Sequence, residues 1–276
     1  MTDMKRISIL AASLACSVML FAQTRETAVL FSGTELDYSY LLTENVSVVF
    51  YEGENARICL DGTDETEFLI VEGHPVTVEF KDAFKLKANR DPNDTENCYS
   101  TFYTSEGAYK LPEGAKAYVG TLESSGTADV LRLTETGLIH RSEPVILKSG
   151  QSDITLMPTS NNDAASTGNV LSGTDVAMDA LGANDYALSL GQNGVGFYNW
   201  SGKAIGANKA YLTLSGSQLA SGRSFGMVFD DGTVTGIPDI ISDQTQDDVV
   251  YNLQGQRVDG SHKGLMIKNG KKVYSK

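Results

Sequence analysis

Positive charge is scarce in this chain. It carries 22 Lys and Arg against 35 Asp and Glu over 276 residues, a formal charge of −13 at pH 7. A surface with that balance repels nucleic acid and anionic membranes, which excludes a phosphate-binding role unless a local basic patch opposes the total. The one basic cluster runs from Lys268 to Lys276. Histidine is scarcer. His74, His140 and His262 each stand alone beside turn residues. None has a second histidine at metal-ligand spacing, so no metal site and no cofactor is expected. His74, before Pro75, reads as a loop residue, and His140, beside Arg141, as solvated. Long apolar runs are missing beyond the first 22 residues, and no amphipathic helix of useful length is written anywhere. That leaves no transmembrane helix after the leader.

The leader itself is clear. Lys5 and Arg6 form a positive start, and Ile7 to Phe21 is an apolar stretch too short to span a bilayer comfortably. Small residues follow, and the pattern places cleavage after Ala22, with residues 1–22 as a signal peptide and Gln23 first in the mature chain. The expected location is secreted, on the cell surface, or associated with an outer membrane. Cys16 departs with the leader. It is a poor lipidation site, because Ser13-Leu14-Ala15 precedes it and apolar sequence continues to Phe21. Cys59 and Cys98 remain. In an exported protein they can form a disulfide, or stay as two buried thiols on separate strands.

The rest reads as short β-runs. Ala28–Phe31, Val46–Tyr51, Arg57–Leu60, Phe68–Val71 and Val76–Phe80 are separated by Gly, Asn and Asp clusters. They predict an N-terminal β-meander over 23–86. The polar stretch from Lys87 to Asn97 reads as a boundary. A main β-sandwich-like domain over 97–232 follows, then a linker over 233–248 and a C-terminal hairpin tail over 249–276. The tail is expected to be a detachable module, because Gln254-Gly255 and Asn269-Gly270 close it locally. Turn signals every ~8–12 residues predict an all-β fold, with antiparallel sandwich or barrel-like units and short loops. Within the main domain two passages run in parallel, residues 138–150 and 204–216. Each is a polar turn, an apolar β-run and a closing Ser-Gly. They share Ile139 with Ile205, a faint internal duplication.

Few constellations point to chemistry. Gly222-Arg-Ser-Phe-Gly226 has the spacing of a nucleophile elbow. A strand and turn follow it, where that motif needs a helix, and His262 is the one later histidine. Ser224 is therefore read as a turn residue, and no catalytic residue is assigned. The acidic turns Asp61–Glu67 and Asp91–Glu96 lack the glycine and glutamate positions of a calcium loop and read as solvated turns. Phe197-Tyr-Asn-Trp200 is the most aromatic spot and holds the single Trp. Alternation sets Phe197 and Asn199 on one face and Tyr198 and Trp200 on the other. Tyr198 and Trp200 can be core, or a stacking surface for sugar rings.

The ending Tyr251-Asn-Leu-Gln-Gly-Gln-Arg-Val258, continued by Lys263-Gly-Leu-Met-Ile-Lys-Asn-Gly-Lys-Lys-Val273, resembles the C-terminal tail of many exported proteins of Bacteroidales bacteria. It is also similar to, though shorter than, the sorting domain of the type nine secretion system. Tyr99–Ser105, Leu111–Tyr118, Glu143–Lys148, Val195–Tyr198 and Lys209–Leu212 resemble the β-rich surface proteins of the same group. That resemblance implies an exported or cell-surface β-protein with an adhesive or structural role, whose partner is a glycan or a cell-surface protein. The alternatives are a carbohydrate-binding accessory protein and, third, a hydrolase hidden in a β-fold.

Overall fold

The computed structural model describes the backbone of residues 6–8, 23–33, 36–44, 47–50, 55–60, 63–69, 76–124, 129–161, 165–191, 194–214, 225–235, 250–252, 257–258, 264–268 and 271–275. Side chains are described within 23–33, 36–43, 76–123, 130–161, 165–191, 194–214 and 225–235. The chain is nearly all β. The N-terminal strands are β1 (Arg6–Ser8), β2 (Thr24–Ser32), β3 (Asp37–Leu41), β4 (Ser47–Phe50), β5 (Asn55–Leu60), β6 (Thr63–Leu69) and β7 (Thr77–Lys87). The body continues with β8 (Asn89–Asp91), β9 (Asp94–Phe102), β10 (Ala108–Lys110), β11 (Ala115–Ser124), β12 (Asp129–Thr136), β13 (Val145–Ser149) and β14 (Asp153–Thr159). Then come β15 (Leu171–Thr174), β16 (Asp185–Gly191), β17 (Gly194–Asn199), β18 (Lys209–Thr213), β19 (Met227–Phe229) and β20 (Val234–Thr235). The last are β21 (Val250–Asn252), β22 (Arg257–Val258), β23 (Gly264–Lys268) and β24 (Lys271–Ser275). No described helix is long and apolar enough to cross a membrane.

Among the described residues the strands form five sheets, antiparallel except where β12 meets β19. The central one has seven strands in the order β20-β19-β12-β11-β13-β9-β8. Both of its faces are covered. On one side Tyr99, Tyr118, Leu131, Leu133 and Ile146 pack with Tyr186, Val195, Phe197 and Leu212 of the four-stranded sheet β15-β18-β16-β17. On the other, Cys98, Phe102, Ala117, Val145 and Leu147 pack with Phe84, Leu86, Ile154 and Leu156 of the five-stranded sheet β10-β14-β7-β2-β3. Alternate residues of the same strands therefore feed two cores, and every residue of β13 is buried. A strand buried on both faces has no polar side to write, which is why Val145-Ile-Leu147 is an unbroken apolar run.

The four-stranded sheet repeats the centre of the seven-stranded one. In the first unit β11 pairs with β12, β13 with β11, and β9 with β13. In the second β16 pairs with β17, β18 with β16, and β15 with β18. Strand by strand the connectivity and order are the same. The connections match as well. Thr104, two residues past β9, and Thr174, the last residue of β15, accept the amide two residues on through their hydroxyls. An i→i+3 turn leads into the hairpin each time, Ala115 to Pro112 and Asp185 to Gly182. Ile139 bridges to Tyr109 and Ile205 bridges to Met178. Ser142 and Asn208, three residues beyond those isoleucines, are the two non-glycine residues with positive φ among the described residues. Left-handed backbone is rare outside glycine, and its recurrence at matched positions adds to the structural repeat. The strands themselves align two residues earlier than the closing Ser-Gly would set them. Register equates Leu147 with Tyr211, each directly opposite an alanine, Ala117 and Ala187.

The two units face each other around the first core and nearly close a barrel-like sheet. At one seam Phe197 bridges Phe225, beside β19. At the other the Tyr103 amide donates to the Asn208 carbonyl at 3.3 Å.

Two expectations need correction, and one open alternative is narrowed. The proposed boundary over 87–97 cuts through a continuous sheet, because β7 pairs with β14 and supplies Phe84 and Leu86 to the second core. Its polarity comes from alternation and from Asp91, which is buried and accepts the amides of Asn93 and Val195. Strand β7 extends to Lys87, past the Phe80 where its apolar run ends. Finally, Cys98 is a free thiol, fully buried in the second core, so no bridge from it to Cys59 is formed. The side chain of Cys59 lies outside the described residues. So do the turns Gln254-Gly255 and Asn269-Gly270, although β21 to β24 pair among themselves.

Truncating a side chain in the doubly buried strand removes contacts that nothing nearby can replace. Leu147→Ala is expected to cost ~2–5 kcal/mol in chemical denaturation. Leu190→Ala, at a position 51% exposed, should change stability by ~0.5 kcal/mol or less.

Candidate functional site

Duplication allows the outer faces of the two units to be compared position by position. In the first unit the row across the sheet reads Ser100, Leu147, Ala117, Thr136. In the second it reads Ser172, Tyr211, Ala187, Tyr198. The serine and alanine recur, while leucine and threonine are replaced by two tyrosines. One position along, Val119 of the first unit corresponds to Ser189 of the second. The first outer face is sealed by the five-stranded sheet. The second leaves Tyr198, Ser172, Ser189 and Tyr211 part-exposed.

Both tyrosines stand beside Ala187, one on each neighbouring strand, so their roots are about 10 Å apart, two strand spacings. Tyr198 is held down. Its hydroxyl donates to the Gly194 carbonyl at 2.8 Å, and its ring tip lies where a Cβ on Gly191 would be, 2.2 Å from the ring. Only glycine leaves that floor open. The Tyr211 hydroxyl is pushed above its ordinary range by burial and by the Asp185 carboxylate. It therefore stays protonated and can both donate and accept.

Phe197 is fully buried in the first core, Asn199 is exposed, Tyr198 is part-exposed within β17, and Trp200 is part-exposed just past its end. Trp200 is not an open platform, however. Its indole N–H donates to the Ala204 carbonyl at 2.8 Å, and the Lys203 ammonium lies over its ring at 4.5 Å. Tyr211 takes its place beside Tyr198. Sequence reading missed Tyr211 because only strand register brings it there.

A second concavity, of about 240 Å³, lies beside the five-stranded sheet and is lined by Glu79, Asp82, Glu106, Tyr109 and Arg141 among others. Its charges are largely engaged. Arg25 bonds Asp82 at 2.8 Å and Glu106 at 3.1 Å, and Lys81 pairs with Glu79 at 3.3 Å. The Arg141 Nε donates to the Ser105 carbonyl.

The other residues weighed for chemistry do structural work or fall outside the description. His74, His262 and Ser224 lie outside the described residues. His140 is half-buried with an enclosed Nδ1, not solvated, because its turn folds under the buried Glu143. Asp94 accepts from Asn97 and from the Tyr99 hydroxyl. Among the described residues no three His, Cys, Asp or Glu side chains are grouped to hold a metal ion. No family model, no curated protein and no solved structure matches this chain.

Two lysines show how the units diverged. Lys148 matches Leu212 and points into the first core. Its ammonium meets Asp231 and Thr233, each at 2.7 Å, over the Phe229 ring. Partial burial raises the Asp231 carboxyl, but Lys148 and Thr233 outweigh it and hold it at about 2. Lys209 matches the buried Val145. Its ammonium reaches the Ser100 hydroxyl at 3.3 Å, with no carboxylate among the described residues in ion-pair range, and burial pushes it down to about 8. The unfolded chain holds that proton up to an ordinary value of 10.5. Folding is therefore penalised while Lys209 is charged, and stability rises as pH climbs from about 8 towards 10.5. Lys209→Met should remove that rise and stabilise the protein at pH 7 by no more than ~3 kcal/mol. Urea unfolding of both proteins at pH 7 and pH 10 reads the difference.

Proposed function

We propose that this chain is an exported, non-catalytic β-protein that acts at or beyond the cell surface in an adhesive or structural role. The observation that supports it best is the contrast between the two outer faces. One, with Leu147 and Ala117 between Ser100 and Thr136, is sealed inside the molecule, and its duplicate carries two tyrosines and part-exposed serines. A fixed surface of that kind recognises by contact and needs no reacting group. The signal-like leader, and the likeness of the tail to those of exported Bacteroidales proteins, support the location.

Both parts of the reading are testable. Protein recovered from the surface or extracellular fraction should begin at Gln23 or within a few residues of it. A cytosolic form beginning at Met1 or Met4 would overturn export. Beads coated with the mature chain should hold under flow to at least one of yeast cell walls, collagen-coated glass and mucin-coated glass. Wash-off from all three, matching albumin-coated beads, would remove the adhesive role.

A further inference from the structure

We infer that the outer face of the second unit, centred on the row Ser172, Tyr211, Ala187 and Tyr198, is a binding site for a neutral polysaccharide chain. This rests on the adhesive reading and names its ligand class. The argument starts from the duplicate. In the first unit the equivalent face is closed by another sheet of the same chain, and its key position is Leu147, fully buried. In the second unit that position is Tyr211, Val119 has become Ser189, and Thr136 has become Tyr198. An apolar sheet packing there would have to desolvate the Tyr211 hydroxyl and the Ser172 and Ser189 hydroxyls, at a cost unless each found a partner. The face has thus changed from one that suits a second sheet to one that suits a hydrated, hydroxyl-rich partner.

Sugar rings have the matching chemistry. Their C–H faces stack on aromatic rings, and their hydroxyls bond side groups such as Ser172 and Ser189; Thr213 and Asp185 on the same face already bond each other at 2.7 Å. The two tyrosines are rooted on either side of the small Ala187. Tyr198 is fixed by Gly194 above its glycine floor, so little side-chain freedom is lost on binding. Charge selects among polysaccharides. A chain of formal charge −13 disfavours polyuronates and sulfated glycans, which leaves neutral ones.

The mature protein should be tested by affinity electrophoresis in gels containing a soluble β-glucan, a mannan or a xylan, with a polyuronate as the anionic arm. Retardation by at least one neutral polymer is expected. Tyr211→Ala should weaken it by about tenfold or more, while Tyr211→Phe retains most of it. Thermal midpoints of both variants close to that of the parent protein would show that the fold is kept. Gly191→Ala, which displaces the Tyr198 ring, should weaken retardation independently. No retardation by any neutral polymer, retardation by the polyuronate alone, or full retardation of Tyr211→Ala would each overturn the site. Beads that still adhere to collagen-coated glass while no polysaccharide retards the protein would sink this inference and leave the adhesive reading standing.

Discussion

Two copies of one four-stranded unit must hide their inner faces, and in this chain they hide them against each other. That mutual burial fixes the rest. Neither inner face could be left in water, since Tyr118, Leu131, Phe197 and Leu212 all lie at the centre of the shared core. Once the units meet face to face, their edges approach at two seams and the sheet nearly closes. Closure removes the free strand edges that a flat pair of sheets would expose. It also turns both outer faces away from the core, so each has to be solved separately. The first is covered by β7 and β14 with their neighbours. The second is part-exposed, with no other described sheet packed on it.

The seam at Asn208 shows how closure is held. Its left-handed backbone, φ 54, turns the chain into β18 and aims its amide at three different segments. The side chain accepts from Arg25 at 3.0 Å and donates to the Tyr103 carbonyl at 3.1 Å and towards Asp175 at 3.5 Å. Its own carbonyl accepts from Gln23 and Tyr103. Asparagine tolerates positive φ better than most residues and carries both a donor and an acceptor. Ser142 holds the same conformation at the matching place, but sits at 60° on an exposed turn with fewer duties. One backbone solution was kept in both units, and one copy gained a network that ties the N-terminal strand to the barrel.

The strands were legible because their chemistry is local. Runs such as Val145–Leu147 or Tyr186–Leu190 declare themselves by residue type, and glycine and asparagine clusters mark their ends. Layering was not legible. Strand β7 switches partway from an exposed apolar stretch to a half-polar one, in which Phe84 and Leu86 carry the core between lysines. A composition-based boundary falls where polarity rises, and here polarity rises inside a sheet. The duplication was only half visible. Its marks are bridges, turns and φ values, with little identity, and a two-residue difference in loop length shifts the strands relative to the Ser-Gly ending. Tyr198 could be set on the outer side by alternation within one strand. Tyr211 could not be set beside it, because that needs the register of β16 with both neighbours. Trp200 was misleading for a different reason. Its ring is as well suited to stacking as its residue type suggests, but Lys203 already lies on it.

Divergence between the units follows from where each face ended up. Lys209 illustrates the argument. At the matching place Val145 is enclosed by the five-stranded sheet, and a lysine there would be a buried charge without a partner. In the second unit the surrounding face is open enough for a lysine to be tolerated, although its ammonium remains partly enclosed and is pushed towards neutrality. Lys148 is the opposite case. It points into the shared core and is tolerated because Asp231 and Thr233 come over from the β19–β20 turn to meet it. The repeated sheet keeps a small residue at the matched Ala117 and Ala187. It changes in the shared core where a partner meets the new group, as at Lys148, and it changes too on the face that the other described strands leave part-exposed. That face is where the tyrosines stand.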